Sequence, residues 1–173
     1  MKHRIQITLA AVAAISVGSA QAFEPKSGFE WLSDEAKEMQ MDDFANQGYL
    51  AVERGMELFN TEGANGKTCG SCHGEEGEKL DPKSIAMYPK YDERSSKPIT
   101  LQQRVHRCNE ENLGSKPLKY DEKNTIIPLL TFVRHRSQGE VINVQTDGPL
   151  APFIAKGKEF FESRRGQMDM ACM

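Results

Sequence analysis

Apolar residues recur at helical spacing along much of this chain, and no segment alternates convincingly as a strand. Val52, Met56 and Phe59 fall on one face of a helix expected over residues 50–60. Leu101, Val105 and Cys108 share a face of a second, which starts at Thr100 with Gln103 completing a capping box. Ile126, Leu129, Leu130 and Val133 form the buried stripe of a third, expected over 124–136 and ended by Gly139. Pro128 lies near its first turn, where a missing N–H does little damage. A short helix over 35–41 has Ser33 or Asp34 as its cap, and 43–49 reads as a loop with a glycine turn. Residues 61–67 are polar and Gly-rich; residues 74–97 are rich in Pro, Lys and Tyr without a lasting period and predict an extended loop. The pattern predicts an all-α domain with a modest core.

Between the first long helix and that loop stands Cys69-Gly70-Ser71-Cys72-His73. A C-x-x-C-H run is the attachment signature of a c-type haem: two reduced thiols one helical turn apart match the spacing of the haem vinyl groups, and the next histidine supplies the proximal iron ligand. A redox C-x-x-C pair or half a zinc site needs no histidine there, and a zinc site needs a second ligand pair that the chain lacks. With helix, C-x-x-C-H, loop, helix and helix in order, the plan is that of a small cytochrome c domain, whose haem c would enlarge an otherwise small core.

The N-terminus fits this chemistry. Lys2, His3 and Arg4 precede an apolar stretch over 5–17, and Ala20-Gln21-Ala22 meets the A-x-A cleavage rule. The stretch is short for a membrane span, so residues 1–22 read as a signal peptide and the expected compartment is a bacterial periplasm. Losing Lys2 and Arg4 takes the formal net charge from −3 to −5. Such a chain has no basic face for nucleic acid and no membrane span after cleavage.

The distal ligand is less determined by spacing. Cys108 sits on the apolar face that should meet the haem, where a thiolate would hold Fe(III) and lower the reduction potential. The same position suits a buried inert cysteine or a disulfide partner. Met87 is a second candidate ligand, although it follows His73 closely for a loop that must cross the ring. His106 is two residues from Cys108 and points elsewhere; His135, near a helix C-terminus, is explained by the macrodipole and solvent.

An internal echo bears on the C-terminus. The segment at 52–59 and that at 154–161 share Gly, Glu and aromatic positions, with Gly55 matching Gly157. Cys69 follows Gly55 by 14 residues and Cys172 follows Gly157 by 15. The chain thus reads as a signal peptide (1–22), an N-terminal cytochrome c-like haem domain (23–140), a linker (141–152) marked by Asp147-Gly148-Pro149, and the start of a second cytochrome c-like domain (153–173).

These residues together resemble the SoxA family, in its di-haem form. The resemblance runs through Gly28-Phe29-Glu30-Trp31-Leu32-Ser33, Asp42-Asp43-Phe44-Ala45-Asn46, the haem motif, Tyr88-Pro89-Lys90-Tyr91-Asp92, residues 101–109, and Asp147-Gly148-Pro149-Leu150. Gln47 departs from it, where the family often has Pro. The resemblance implies an L-cysteine S-thiosulfotransferase subunit of the thiosulfate-oxidising Sox system, paired with the cytochrome SoxX and acting on a cysteine of the carrier SoxYZ. It further implies Cys69 and Cys72 as the thioether anchors of the first haem, His73 and Cys108 as its axial ligands, and Cys172 as the first cysteine of a second haem motif. Two haems are then expected in the full-length protein and one in this stretch, which would lack the catalytic haem and be inactive alone. The competing expectation is a non-enzymatic mono-haem electron carrier.

Overall fold

The computed structural model describes residues 27–116, 118 and 126–172. The leader expected at 1–22 lies outside them. The chain divides into two compact units, one up to Glu38 and one from Met39 onward. In the first, a 3-10 turn at Gly28–Trp31 is capped by Ser27, whose hydroxyl accepts from the Phe29 N–H. Ser33 is the residue that caps α1 (Asp34–Met41), accepting from the Ala36 N–H at 3.3 Å.

The second unit is built on α2 (Gly48–Phe59), α5 (Leu101–Leu113) and α6 (Ile126–His135). Between α2 and α5 come α3 (Gly70–His73), α4 (Pro82–Ala86) and an antiparallel hairpin of β1 (Lys90–Asp92) with β2 (Lys97–Ile99). After α6 a 3-10 turn at Gly148–Leu150 leads into α7 (Ala151–Glu162). The fold is mostly helical, as the sequence pattern predicts, with a short hairpin.

The core gathers Phe59, Ile85, Leu129, Phe132 and Val133, with Cys69, Leu101 and Val105 packed against it. Phe59 and Phe132 rings lie 5.0 Å apart and tilted by 55°, within the range where aromatic pairs attract beyond their area. Two expected core positions differ. On α2, Met56 faces outward and the buried position is Gly55, because a Cβ there would press on the Pro128 carbonyl and lie 2.6 Å from Phe132 Cβ. On α6, Phe132 is fully buried while Leu130 is half-buried, and it is the Pro128 carbonyl and the Phe132 Cβ that occupy the space a side chain at Gly55 would need.

The 74–97 segment is more ordered than its composition suggests. Asp81 caps α4 by accepting from the Lys83 N–H, with Pro82 in the first turn. The hairpin is too short to show a period: three residues pair on each side, and Asp92 Oδ2 gathers the Ser95 N–H and hydroxyl in its turn. Tertiary contact, not alternation, fixes those strands. The expected linker lies against this unit through the Asn143 N–H, which donates to the Ala86 carbonyl, and through buried Leu150.

Candidate functional site

Cys69, His73 and Cys108 line one cavity of about 250 Å³. Its remaining walls are largely apolar, with Phe59, Leu80, Ile85, Leu101, Val105, Leu129 and Val133 facing Lys79, Tyr88 and Arg104 at its polar edge. Cys69 precedes the single helical turn α3, and the His73 N–H donates to the Cys69 carbonyl at 3.0 Å. The turn carries the His73 ring to 6.3 Å from Phe59, next to the core aromatic pair. Cys72 is exposed on the same turn. Gly74, at φ +81°, then reverses the chain in a conformation that glycine adopts without strain.

Cys108 reaches the cavity from α5, and the loop before the motif ties that helix to α3. The Asn65 N–H donates to the Leu113 carbonyl at 3.2 Å, its side-chain amide to the Asn112 carbonyl at 2.7 Å, and the Ala64 N–H to Ser115 Oγ at 3.3 Å. Gly63 packs so closely on Leu113 and Ser115 that a Cβ would lie 2.6 Å from the Leu113 carbonyl oxygen. Spacing gives no hint of this clamp, because it joins residues some 50 positions apart. It fixes the end of α5, the helix that carries Cys108, beside the loop that leads into α3.

The far side of α5 is held by the hairpin. Arg107 donates two bonds of 2.8 Å to the Asp92 carboxylate, and both side chains are largely shielded from solvent. This guanidinium, followed by the Ser95 hydroxyl, holds the Asp92 carboxyl well below the usual carboxylate range. A native-state value below the unfolded one means that the pair's stabilisation is complete above pH ~3.9 and is lost as pH falls below it. Melting temperature is therefore expected to drop through this acid range. In Asp92→Asn, which lacks the titrating group, the melting point should be lower at pH 7 and its acid decline shallower; parallel decline in both proteins would refute the assignment.

Burial, followed by the charge of Cys108, pushes the Cys69 thiol up to about 11. Cys69 is therefore a neutral thiol at ordinary pH, a poor attacker of disulfides. The four cysteines are free, so the disulfide alternative for Cys108 is not what the chain adopts here. Met87 lies outside the cavity and lines a separate depression with Val141 and Ile142. His106 is half-buried and not part of the wall, and His135 faces a wider groove beside Tyr49, with its rings 5.3 Å apart.

The residues fit a covalently held haem. Sulfur and imidazole donors reach one apolar cavity from different elements, yet among the described residues no three His, Cys, Asp or Glu side chains are grouped to hold a bare ion. Space between donors is what an iron-bearing ring needs. Sequence reasoning missed Tyr88, Arg104 and Lys79 at the cavity edge, since they come from a loop and from the polar side of α5.

Residues 54–142 match the SoxA/TsdA, cytochrome c domain family. The chain is 38% identical to the L-cysteine S-thiosulfotransferase subunit SoxA of Pseudaminobacter salicylatoxidans over 86% of its own length and 52% of that protein's. The corresponding figures for SoxA of Paracoccus pantotrophus are 32%, 84% and 50%. Among solved structures it is similar to a chain of SoxXA from P. pantotrophus, with a TM-score of 0.72 at 32% identity over 84% of this chain and 55% of that one. The chain thus spans about half the length of the curated relatives it matches.

Proposed function

Because this chain belongs to the SoxA/TsdA cytochrome c domain family, we propose that it is the N-terminal haem domain of an L-cysteine S-thiosulfotransferase subunit. The convergence of Cys69, His73 and Cys108 on one apolar cavity carries the reading. Cys69 and Cys72 would anchor the haem as thioethers, with His73 and Cys108 as axial ligands. The bound haem supplies a one-electron store. With His73 and Cys108 both binding the iron, such a centre would be closed to substrate and would support chemistry that takes place elsewhere.

In the proposed reaction a cysteine thiol of the SoxYZ carrier joins thiosulfate through a new S–S bond, and one proton and two electrons are released. The electrons pass towards SoxX, the partner subunit, in the periplasm. Among the described residues no helix is long and apolar enough to cross a membrane.

The catalytic haem is assigned to a second domain that begins with α7. Support comes from the echo: α2 and α7 each have 12 residues, and each carries its matching glycine mid-helix. Gly55 is packed against α6, whereas nothing lies within 4 Å of the Cβ position of Gly157. Phe160 and Phe161 on α7 are 59% and 50% exposed. An open glycine position and exposed aromatic side chains suit a helix that packs against a crossing helix, as α2 does on α6, and Cys172 would open the second attachment motif.

The test is haem stoichiometry with a transfer assay. The 173-residue chain, matured with haem, should carry one haem that survives denaturation and should leave SoxYZ unmodified by thiosulfate. A longer chain that includes the second domain should carry two and produce the mass increase of a thiosulfonate adduct on the carrier cysteine. Adduct formation by the short chain would overturn the division of labour. One haem and no adduct with the longer chain would favour a plain electron carrier.

A further inference from the structure

The side-chain amide of Asn112 donates to Cys108 Sγ at 3.3 Å. The two residues are one helical turn apart on α5, so their side chains share a face. The Asn112 carbonyl is at the same time an acceptor for Asn65 at 2.7 Å, and Gly114 ends the helix two residues later in the left-handed conformation, at φ +62°. The backbone of the last turn of α5 is therefore pinned, which holds the residue whose amide reaches Cys108 Sγ in place. Asn109, the nearest other amide on the helix, is buried and spends its N–H on the Lys116 carbonyl at 3.1 Å.

We propose that Asn112 is a positioning residue for the axial sulfur, holding its charge and orientation by an N–H···S bond and so raising the reduction potential of the haem iron above that of an unassisted thiolate complex. The proposal rests on Cys108 being the distal ligand. A donor hydrogen bond draws electron density from the sulfur, which then stabilises Fe(III) less. The redox step gains one electron at iron and moves no proton at sulfur. The bond also restricts rotation of the Cys108 side chain, a preorganisation that an apolar residue at 112 would not provide.

Asn112→Leu in the haem-loaded protein tests this by potentiometric titration with ferric electron paramagnetic resonance as the second readout. The midpoint potential should fall by about tenfold in the ferric-to-ferrous ratio, ~59 mV for one electron, with shifted low-spin g values. Asn112→Asp, of the same shape with an acceptor in place of the donor, should move the potential the same way. A purely structural role for the amide predicts lowered melting temperature with unmoved potentials, and that result in both variants overturns the proposal; so does a positive shift. If the unsubstituted protein's low-spin signal is unchanged by Cys108→Ala, the ligand assignment itself fails. If that signal depends on Cys108 while both Asn112 variants leave the potential alone, only the role of Asn112 fails.

Discussion

Cys108→Met is expected to raise the midpoint potential of the haem iron by roughly a few tenths of a volt, within the ~0.8 V over which axial His, Met and Cys ligands tune haems. The thiolate is anionic and favours Fe(III), whereas the thioether is neutral and soft and favours Fe(II). The substitution adds length but keeps sulfur on the α5 face that lines the cavity, so covalent attachment through Cys69 and Cys72 should be untouched. The readouts are a potentiometric titration and the ferric absorption spectrum, which should lose its thiolate character. An unchanged potential and spectrum would remove Cys108 from the coordination sphere. The cavity geometry argues against a substitute ligand from Met87, which lines another depression.

The second large effect is structural. Gly55→Ala should destabilise the domain by about 3–5 kcal/mol, at the upper end for overpacking, because the new Cβ meets a backbone carbonyl rather than a yielding side chain. Against a typical total of about 5–15 kcal/mol, that lowers melting by on the order of 15 °C or prevents haem insertion. Gly157→Ala, its counterpart in the echo, should be neutral or stabilising by up to ~1 kcal/mol in the 173-residue chain, since open space surrounds it and alanine favours the helix. In a chain that includes the second domain, the same substitution should become destabilising. Thermal melts of both variants in both chain lengths test this. A cost at Gly157 in the short chain, or none in the long one, would dissociate α7 from the entry-helix role.

Legibility in the sequence differed from residue to residue. The attachment motif could be read outright, since its chemistry is local: one turn of helix sets two thiols and an imidazole in order. The capping box at Thr100 and Gln103 was legible for the same reason, and both of its reciprocal bonds form. The placement of Cys108 on the apolar face of α5 followed from helical period, and the structure puts it in the cavity wall. The hairpin at β1 and β2 was not legible, because strands of three residues carry no period. Gly55 was missed as a core position because hydrophobic patterning ranks Met56 above it. Its importance lies in how near α6 passes.

By itself, then, the sequence determined the long helices, the C-x-x-C-H motif and the candidate ligands, all of which depend on contacts within a few residues. Only the tertiary structure decided which candidate lines the same cavity as His73. That choice depends on the clamp between residues 63–65 and the end of α5, and on the Arg107–Asp92 pair on its other side. Such contacts join distant residues whose approach is set by close packing, and close packing leaves no period in the chain.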